Sequence, residues 1–225
     1  MKFGGKIIAV WKPKGPTSHD VVQKIRRITG IKKVGHAGTL DPLAEGVLVV
    51  GIGRQATKKL GAIVQKIKEY EALIKLGENS ETDDAEGRKE KIIITQKPSQ
   101  SEILQILKKF KGRISQIPPK YSAIKLRGQV AYKKARKGES FELKSRTVEI
   151  KSIKLESYKW PYLKIKVITG PGVYIRALAR DIGRELKTGA YLYRLSRTRV
   201  GNFKKEKAVR LSKLPQVLKK VKINS

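Results

Sequence analysis

Between residues 35 and 42 the chain reads Gly-His-Ala-Gly-Thr-Leu-Asp-Pro, which places an imidazole, His36, and a carboxylate, Asp41, in one glycine-punctuated loop. Gly35 and Gly38 let the backbone approach a ligand closely, and Pro42 biases Asp41 away from helical dihedrals. The same residues also read as a tight turn whose Asp caps the next element. No Gly-Lys-Ser/Thr ending follows, so the loop is not a Walker-type phosphate cradle. A second group of acids, Glu81, Asp83, Asp84 and Glu86, has no partner cluster to complete a two-metal arrangement, and it reads as an acidic loop. With no Cys and only two His residues, the chain has no disulfides and no donor set for a Cys-rich zinc site. No metal site is expected.

The elements that must position this loop are legible on either side of it. Gly5 to Pro13 has the β-branched content of a strand and stops at Pro13-Lys-Gly-Pro16, a forced turn. Thr17 and Ser18 offer N-cap oxygens to a helix whose Val21, Ile25 and Ile28 share one face and whose end is set by Gly30. Val47 to Gly53 reads as a buried strand. From Tyr70 the period-two alternation Tyr70, Ala72, Ile74, Leu76 puts Tyr70 on the apolar face of another strand. Glu78 to Glu86 is expected as a loop. Ser99 and Glu102 form a capping box before a helix that ends at Gly112. Strands near 146–155 and 162–168 lead to the turn Thr169-Gly-Pro-Gly172. Ile175, Leu178, Ala179, Ile182 and Leu186 then form the stripe of an amphipathic helix, and Leu211 to Val221 a last short one. Strands and helices interleave, which indicates a mixed α and β domain.

Lys and Arg number 52 against 19 Asp and Glu, a formal charge of +33 spread along the whole chain. Such a surface favours a polyanion through counterion release, so nucleic acid is the leading partner class. No apolar run spans a bilayer, and a cytoplasmic protein without a membrane partner is expected. The segment 117–146 is polar, basic and carries Tyr121 and Tyr132 among its cations. It reads either as a mobile surface loop or as an RNA-gripping insertion with Lys120, Lys125, Arg127, Lys133, Lys134 and Arg136 on phosphates.

The block Gly35-His-Ala-Gly-Thr-Leu-Asp-Pro-Leu-Ala-Glu-Gly-Val-Leu48, continuing through Gly51-Ile-Gly-Arg54, resembles the signature of the TruB family of tRNA pseudouridine synthases. Lys12-Pro-Lys-Gly-Pro-Thr-Ser18, Lys68-Glu-Tyr70, Gln116-Ile-Pro-Pro-Lys-Tyr121, Gly172-Val-Tyr-Ile-Arg176 and Tyr191-Leu-Tyr-Arg-Leu195 resemble further family motifs, in the family's order. The resemblance implies an α+β fold with a mainly antiparallel sheet and flanking helices, no cofactor, a monomer, and the T arm of tRNA as partner, with uridine 55 converted to pseudouridine. It implies Asp41 as the essential carboxylate and His36 as the wedge that replaces a flipped base. Tyr70 would stack on the uracil, Tyr174 and Leu192 would line its pocket, and Arg176 would pair with the carboxylate. It also implies one catalytic domain over 1–225, with a Lys-rich tail at 204–225 where many members continue into a small C-terminal RNA-binding domain. The composition by itself favours a non-catalytic basic RNA-binding or ribosome-associated protein; Asp41, Tyr70, Tyr174 and Arg176 together argue against that reading. A guide-RNA-dependent isomerase of the same superfamily is a further reading, weakened by the short chain.

Overall fold

The structure is a computed structural model that describes residues 5–126 and 128–223. The chain forms two compact units, Met1–Glu71 with Leu195–Ser225, and Ala72–Arg194. In chain order the first contributes β1 (Lys6–Lys12), α1 (Ser18–Thr29), β2 (Val34–Ala37), β3 (Glu45–Ile52), α2 (Arg54–Lys58), α3 (Leu60–Val64) and the start of β4 (Lys68–Leu76). The second contains β5 (Glu78–Ser80), β6 (Lys89–Lys91), α4 (Gln100–Lys109), β7 (Gly112–Gln116), β8 (Lys125–Leu126), β9 (Gln129–Val130), α5 (Ala131–Arg136), β10 (Arg146–Lys159), β11 (Tyr162–Thr169), α6 (Ile175–Glu185) and the start of β12 (Ala190–Val200). The chain then returns to the first unit for β13 (Phe203–Lys204), β14 (Val209–Arg210) and α7 (Leu214–Ile223).

In the first unit β3 is the central strand. Val47 to Val50 and Ile52 have no exposed surface, as befits a strand covered on both faces. β1 runs antiparallel along its whole length from Lys6 opposite Ile52 to Lys12 opposite Gly46. On the other edge β2 pairs antiparallel with Val49 to Ile52, and β12 pairs parallel with Glu45 and Gly46. α1 starts where its capping residues require. Thr17 is the N-cap, its side chain accepting from the Asp20 N–H while Asp20 accepts from the Thr17 N–H, and Gly30 closes the helix at φ 71°. Val21 and Ile25 bury the apolar face.

In the second unit β11, β10 and β7 are antiparallel neighbours. α4, capped by Ser99 and Glu102, packs on β10 and α6. The acidic stretch departs from the loop expected for it: Glu78–Ser80 pairs with Lys89–Lys91 as a hairpin, with Glu78 opposite Lys91, so unlike charges face each other across the ladder. The basic segment is also more ordered than a bare loop. It carries the hairpin β8–β9 and the helix α5. β12, which no sequence reading anticipated, is the longest strand after β10.

Gly46 is the point that lets β12 approach β3. A Cβ there would lie 2.3 Å from the Arg197 carbonyl oxygen and 2.5 Å from its nitrogen, and φ is +126°. Both the contact and the dihedral exclude a side chain. Gly46→Ala is expected to destabilise the fold by roughly 3 kcal/mol or more and to lower Tm by about 10 °C, read by calorimetry.

Candidate active site

The loop that carries Asp41 is fixed on both sides of that residue, and each anchor comes from a different element. Ser18, the first residue of α1, donates its hydroxyl to the Leu40 carbonyl at 3.0 Å and accepts from the Leu40 N–H at 2.8 Å. Thr17 takes the capping role, which leaves Ser18 free for this exchange. The Pro42 carbonyl accepts from the Gly15 N–H at 2.9 Å, which ties the loop to the Pro13–Pro16 turn. Lys12, at the end of β1 and wholly buried, donates to the carbonyls of Pro13 (2.9 Å) and Pro16 (2.8 Å), with a longer contact of 3.5 Å to that of Pro42. Prolines cannot donate, so this turn is rich in acceptors and an ammonium group satisfies them. From β12 the buried Arg197 donates Nη2 to the Gly38 carbonyl at 2.9 Å and Nε to that of Val47 at 2.8 Å. Ala44 N–H closes a turn onto the Asp41 carbonyl at 3.1 Å.

This side of the site is cationic and dry. Burial pushes the Lys12 ammonium down to about 8, although Asp41 acts in the opposite direction. Burial and the Arg197 charge hold Lys68 at about 8, its Nζ bonded to the carbonyls of Val64 and Lys66. His36, half-buried on β2, is held below the usual histidine range by burial first and by Arg197 second. Its ring is therefore neutral at pH 7, and its Nδ1 has no hydrogen-bond partner among the described residues. Tyr70 lies on the buried face of β4, as its alternation requires.

The two lysines carry a pH signature. In the unfolded chain they hold their protons up to about 10.5, and in the folded chain they release them near 8. Below pH 8 both states are protonated and the burial cost is fully present. Between about 8 and 10.5 the unfolded state binds more protons, so their contribution to stability grows with rising pH, by roughly 3 kcal/mol at most per lysine. Urea titrations at pH 7.5, 9 and 10 should show this gain, and the Lys12→Met/Lys68→Met variant should show a smaller one.

In the second unit α6 presents its first turn from a clamp. Tyr174, the N-cap residue, donates its N–H to Gln116 Oε1 at 2.9 Å and accepts from Gln116 Nε2 at 3.2 Å. Arg176 stands off the apolar stripe of the helix, a position that suggests solvent, yet it is 6% exposed. The reason is its partners: the Thr82 carbonyl at 3.2 Å, the Tyr121 carbonyl at 2.9 Å and the buried carboxylate of Asp84 at 3.4 Å. One turn on, Arg180 pairs with Asp83 at 2.8 Å and donates to the Ile117 carbonyl at 2.7 Å. Burial pushes Asp83 up to about 6 against the pull of Arg180. The acidic loop thus holds the arginines of α6, and those arginines hold residues 117 and 121 at the root of the basic segment.

Leu192 donates its N–H to the Asp83 carbonyl at 3.0 Å and is fully buried. In the basic segment Lys120, Lys133 and Arg136 are exposed, and Arg136 lies over the Tyr132 ring at 5.7 Å. Lys134 pairs with Glu139 at 2.8 Å. Lys125 is in β8, and Arg127 lies outside the described residues. The sequence reading did not single out Arg197, Gln116, Asp84 and Arg180 as site residues, and the partners they meet on other elements are 58 to 159 positions distant. Among the described residues no group of three or more His, Asp or Glu is placed to hold a metal ion. No described helix is long and apolar enough to cross a membrane.

The family model for the TruB family pseudouridylate synthase N-terminal domain matches residues 26–175. The chain belongs to the TruB family. The model for the tRNA pseudouridylate synthase B C-terminal domain matches residues 176–223, which here form α6, β12 to β14 and α7. The tRNA pseudouridine synthase B of Thermobifida fusca is 42% identical over 220 residues, covering 92% of this chain and 73% of the relative. That of Parabacteroides distasonis is 46% identical over 205 residues, covering 88% and 87%. Among solved structures, a Cbf5–Nop10–Gar1 complex contains a chain similar at TM-score 0.74 and 32% identity over 95% of this chain and 54% of that one. An H/ACA RNP bound to a substrate RNA containing 2'-deoxyuridine gives TM-score 0.72 at 29% identity over 99% and 56%. The TruB chain described here spans just over half the length of those solved chains.

Proposed function

We propose that this TruB-family chain isomerises uridine 55 in the T arm of tRNA to pseudouridine, with Asp41 as the reacting carboxylate. The observation that supports it most is the anchoring of the backbone on both sides of Asp41, by Ser18, Gly15, Lys12 and Arg197. A residue needed only to cap a turn has no use for four tethers, whereas a reacting group gains from a fixed position. The relatives at 42–46% identity, named as tRNA pseudouridine synthases, favour a tRNA substrate over a guide-directed one.

The reaction breaks the C1'–N1 bond of the nucleotide, turns the uracil and forms a C1'–C5 bond, with one proton leaving C5 and one arriving at N1. It is an isomerisation, so atoms and electrons balance without an oxidant or a cofactor. The uridine must leave its stack first, and the lost stacking must be offset. A neutral, half-buried His36 is suited to fill the vacated place, because an uncharged ring costs little to bury among bases. By the roles that the family motifs imply, Tyr70 stacks on the uracil, Tyr174 and Leu192 line its pocket, and Arg176 pairs with the reacting carboxylate through charge-assisted hydrogen bonds. Lys120, Lys125, Arg127, Lys133, Lys134 and Arg136 hold phosphates, aided by the overall +33.

The test is to incubate the purified chain with an unmodified T-arm hairpin and map pseudouridine chemically. Conversion of uridine 55 is expected, with binding that weakens steeply as salt rises. A hairpin that is bound and stays unmodified would leave a basic RNA-binding protein as the better description.

A further inference from the structure

We propose that Arg197 is a positioning residue for the reaction, holding the carbonyl side of the catalytic loop so that Asp41 keeps one orientation; this rests on the reading of Asp41 as the reacting group. Arg197 is 1% exposed, among the largest fully buried side chains of the protein. Burying a guanidinium is costly, and a carboxylate usually offsets that cost. Among the described residues Arg197 forms no ion pair. Its donors go to main-chain oxygens, Nε to Val47 on β3, Nη2 to Gly38 and, at 3.5 Å, Nη1 to Thr39.

The division between these bonds separates a structural from a functional role. The Val47 bond alone would cement β12 to β3, a contact that the backbone pairing of Arg197 with Gly46 already secures. The Nη atoms reach past the strand to the two residues that begin the turn to Asp41. Gly38 sits at φ +81°, a conformation that turns its carbonyl toward the guanidinium and that most residues resist. Three oxygens from two separate segments fit a planar fork and not a single ammonium. The loop thus has Ser18 at Leu40 and Gly15 at Pro42 from one side and Arg197 at Gly38 from the other. The charge also reaches His36, Lys12 and Lys68, each held below its ordinary value with Arg197 among the causes.

The experiment compares the full chain with Arg197→Gln and Arg197→Lys. Urea unfolding first establishes which variants fold; should Arg197→Gln not fold, Arg197→Lys, which keeps the charge and loses the fork, carries the comparison. Two readouts follow. On the T-arm hairpin kcat should fall about 100-fold in Arg197→Gln and less in Arg197→Lys, with KM within about threefold. By NMR, amide exchange at Leu40 and Ala44 should speed up at least tenfold while amides of β1 and β3 stay protected. The His36 titration, resolvable because the chain has two histidines, should move up in Arg197→Gln. A folded variant with unchanged exchange at Leu40 and Ala44, or with unchanged kcat, would overturn the proposal. Faster loop exchange in a protein whose wild type leaves the hairpin unmodified would sustain the positioning role and overturn the reaction assigned to Asp41.

Discussion

Replacing Asp41 by Asn will leave a folded protein that binds T-arm RNA and forms no measurable pseudouridine. The amide keeps the size of the carboxylate, and the side chains of Ser18 and Arg197 hold the loop through main-chain groups of the neighbouring residues Leu40 and Gly38, which the change leaves in place. Binding should be equal or tighter, because the change removes a negative charge that faces an incoming polyanion. The reaction loses its nucleophile or base, and a fall of roughly 1000-fold or more is expected. Single-turnover mapping on the hairpin and a filter-binding titration at fixed salt measure the two halves. Retention of more than a tenth of the wild-type rate would remove Asp41 from the chemistry, and weakened binding would make it a contact residue.

The second large effect is at Arg176. Arg176→Met keeps the volume of the stem and removes the guanidinium, which leaves the Asp84 carboxylate buried without its cation and takes a donor from the carbonyls of Thr82 and Tyr121. Breaking a buried pair by removing one partner costs about 3–5 kcal/mol, most of it from the stranded charge. Adding Asp84→Asn removes that charge, so the double variant should regain a large part of the stability while pseudouridine formation stays lost. Urea denaturation and hairpin mapping on the same three proteins separate the effects. A double variant no more stable than Arg176→Met would show that the carboxylate is not what the arginine stabilises. Recovery of activity with stability would make Arg176 purely structural.

Both predictions concern residues whose types were plain in the sequence and whose surroundings were not. His36, Asp41, Tyr70, Tyr174 and Arg176 stand out through glycine punctuation, alternation and motif order. Arg176 also shows where local reading stops. Its place off the apolar stripe of α6 indicates solvent, and it is buried because Asp84, 92 positions earlier, and two carbonyls meet it there. The acids of 81–86 carry no local sign that they answer arginines of α6. Arg197, in the polar run Ser196-Arg-Thr-Arg199, carries no local sign of burial.

The sequence by itself determined the elements that short-range chemistry controls. Thr17 with Asp20 and Ser99 with Glu102 start α1 and α4, Gly30 ends α1, and the all-apolar run from Val47 forces a covered strand. Each of these depends on residues within four positions of one another, which is the range of a cap or a turn. Only the tertiary structure decided how the Asp41 loop is held. Its tethers come from β1, α1 and β12, and the last arrives because Gly46 has no Cβ to keep Arg197 away. A hydrogen bond to a main-chain carbonyl leaves no mark on the accepting residue's type. So the loop's glycines and aspartate were visible in the sequence, and the four groups that fix them were not.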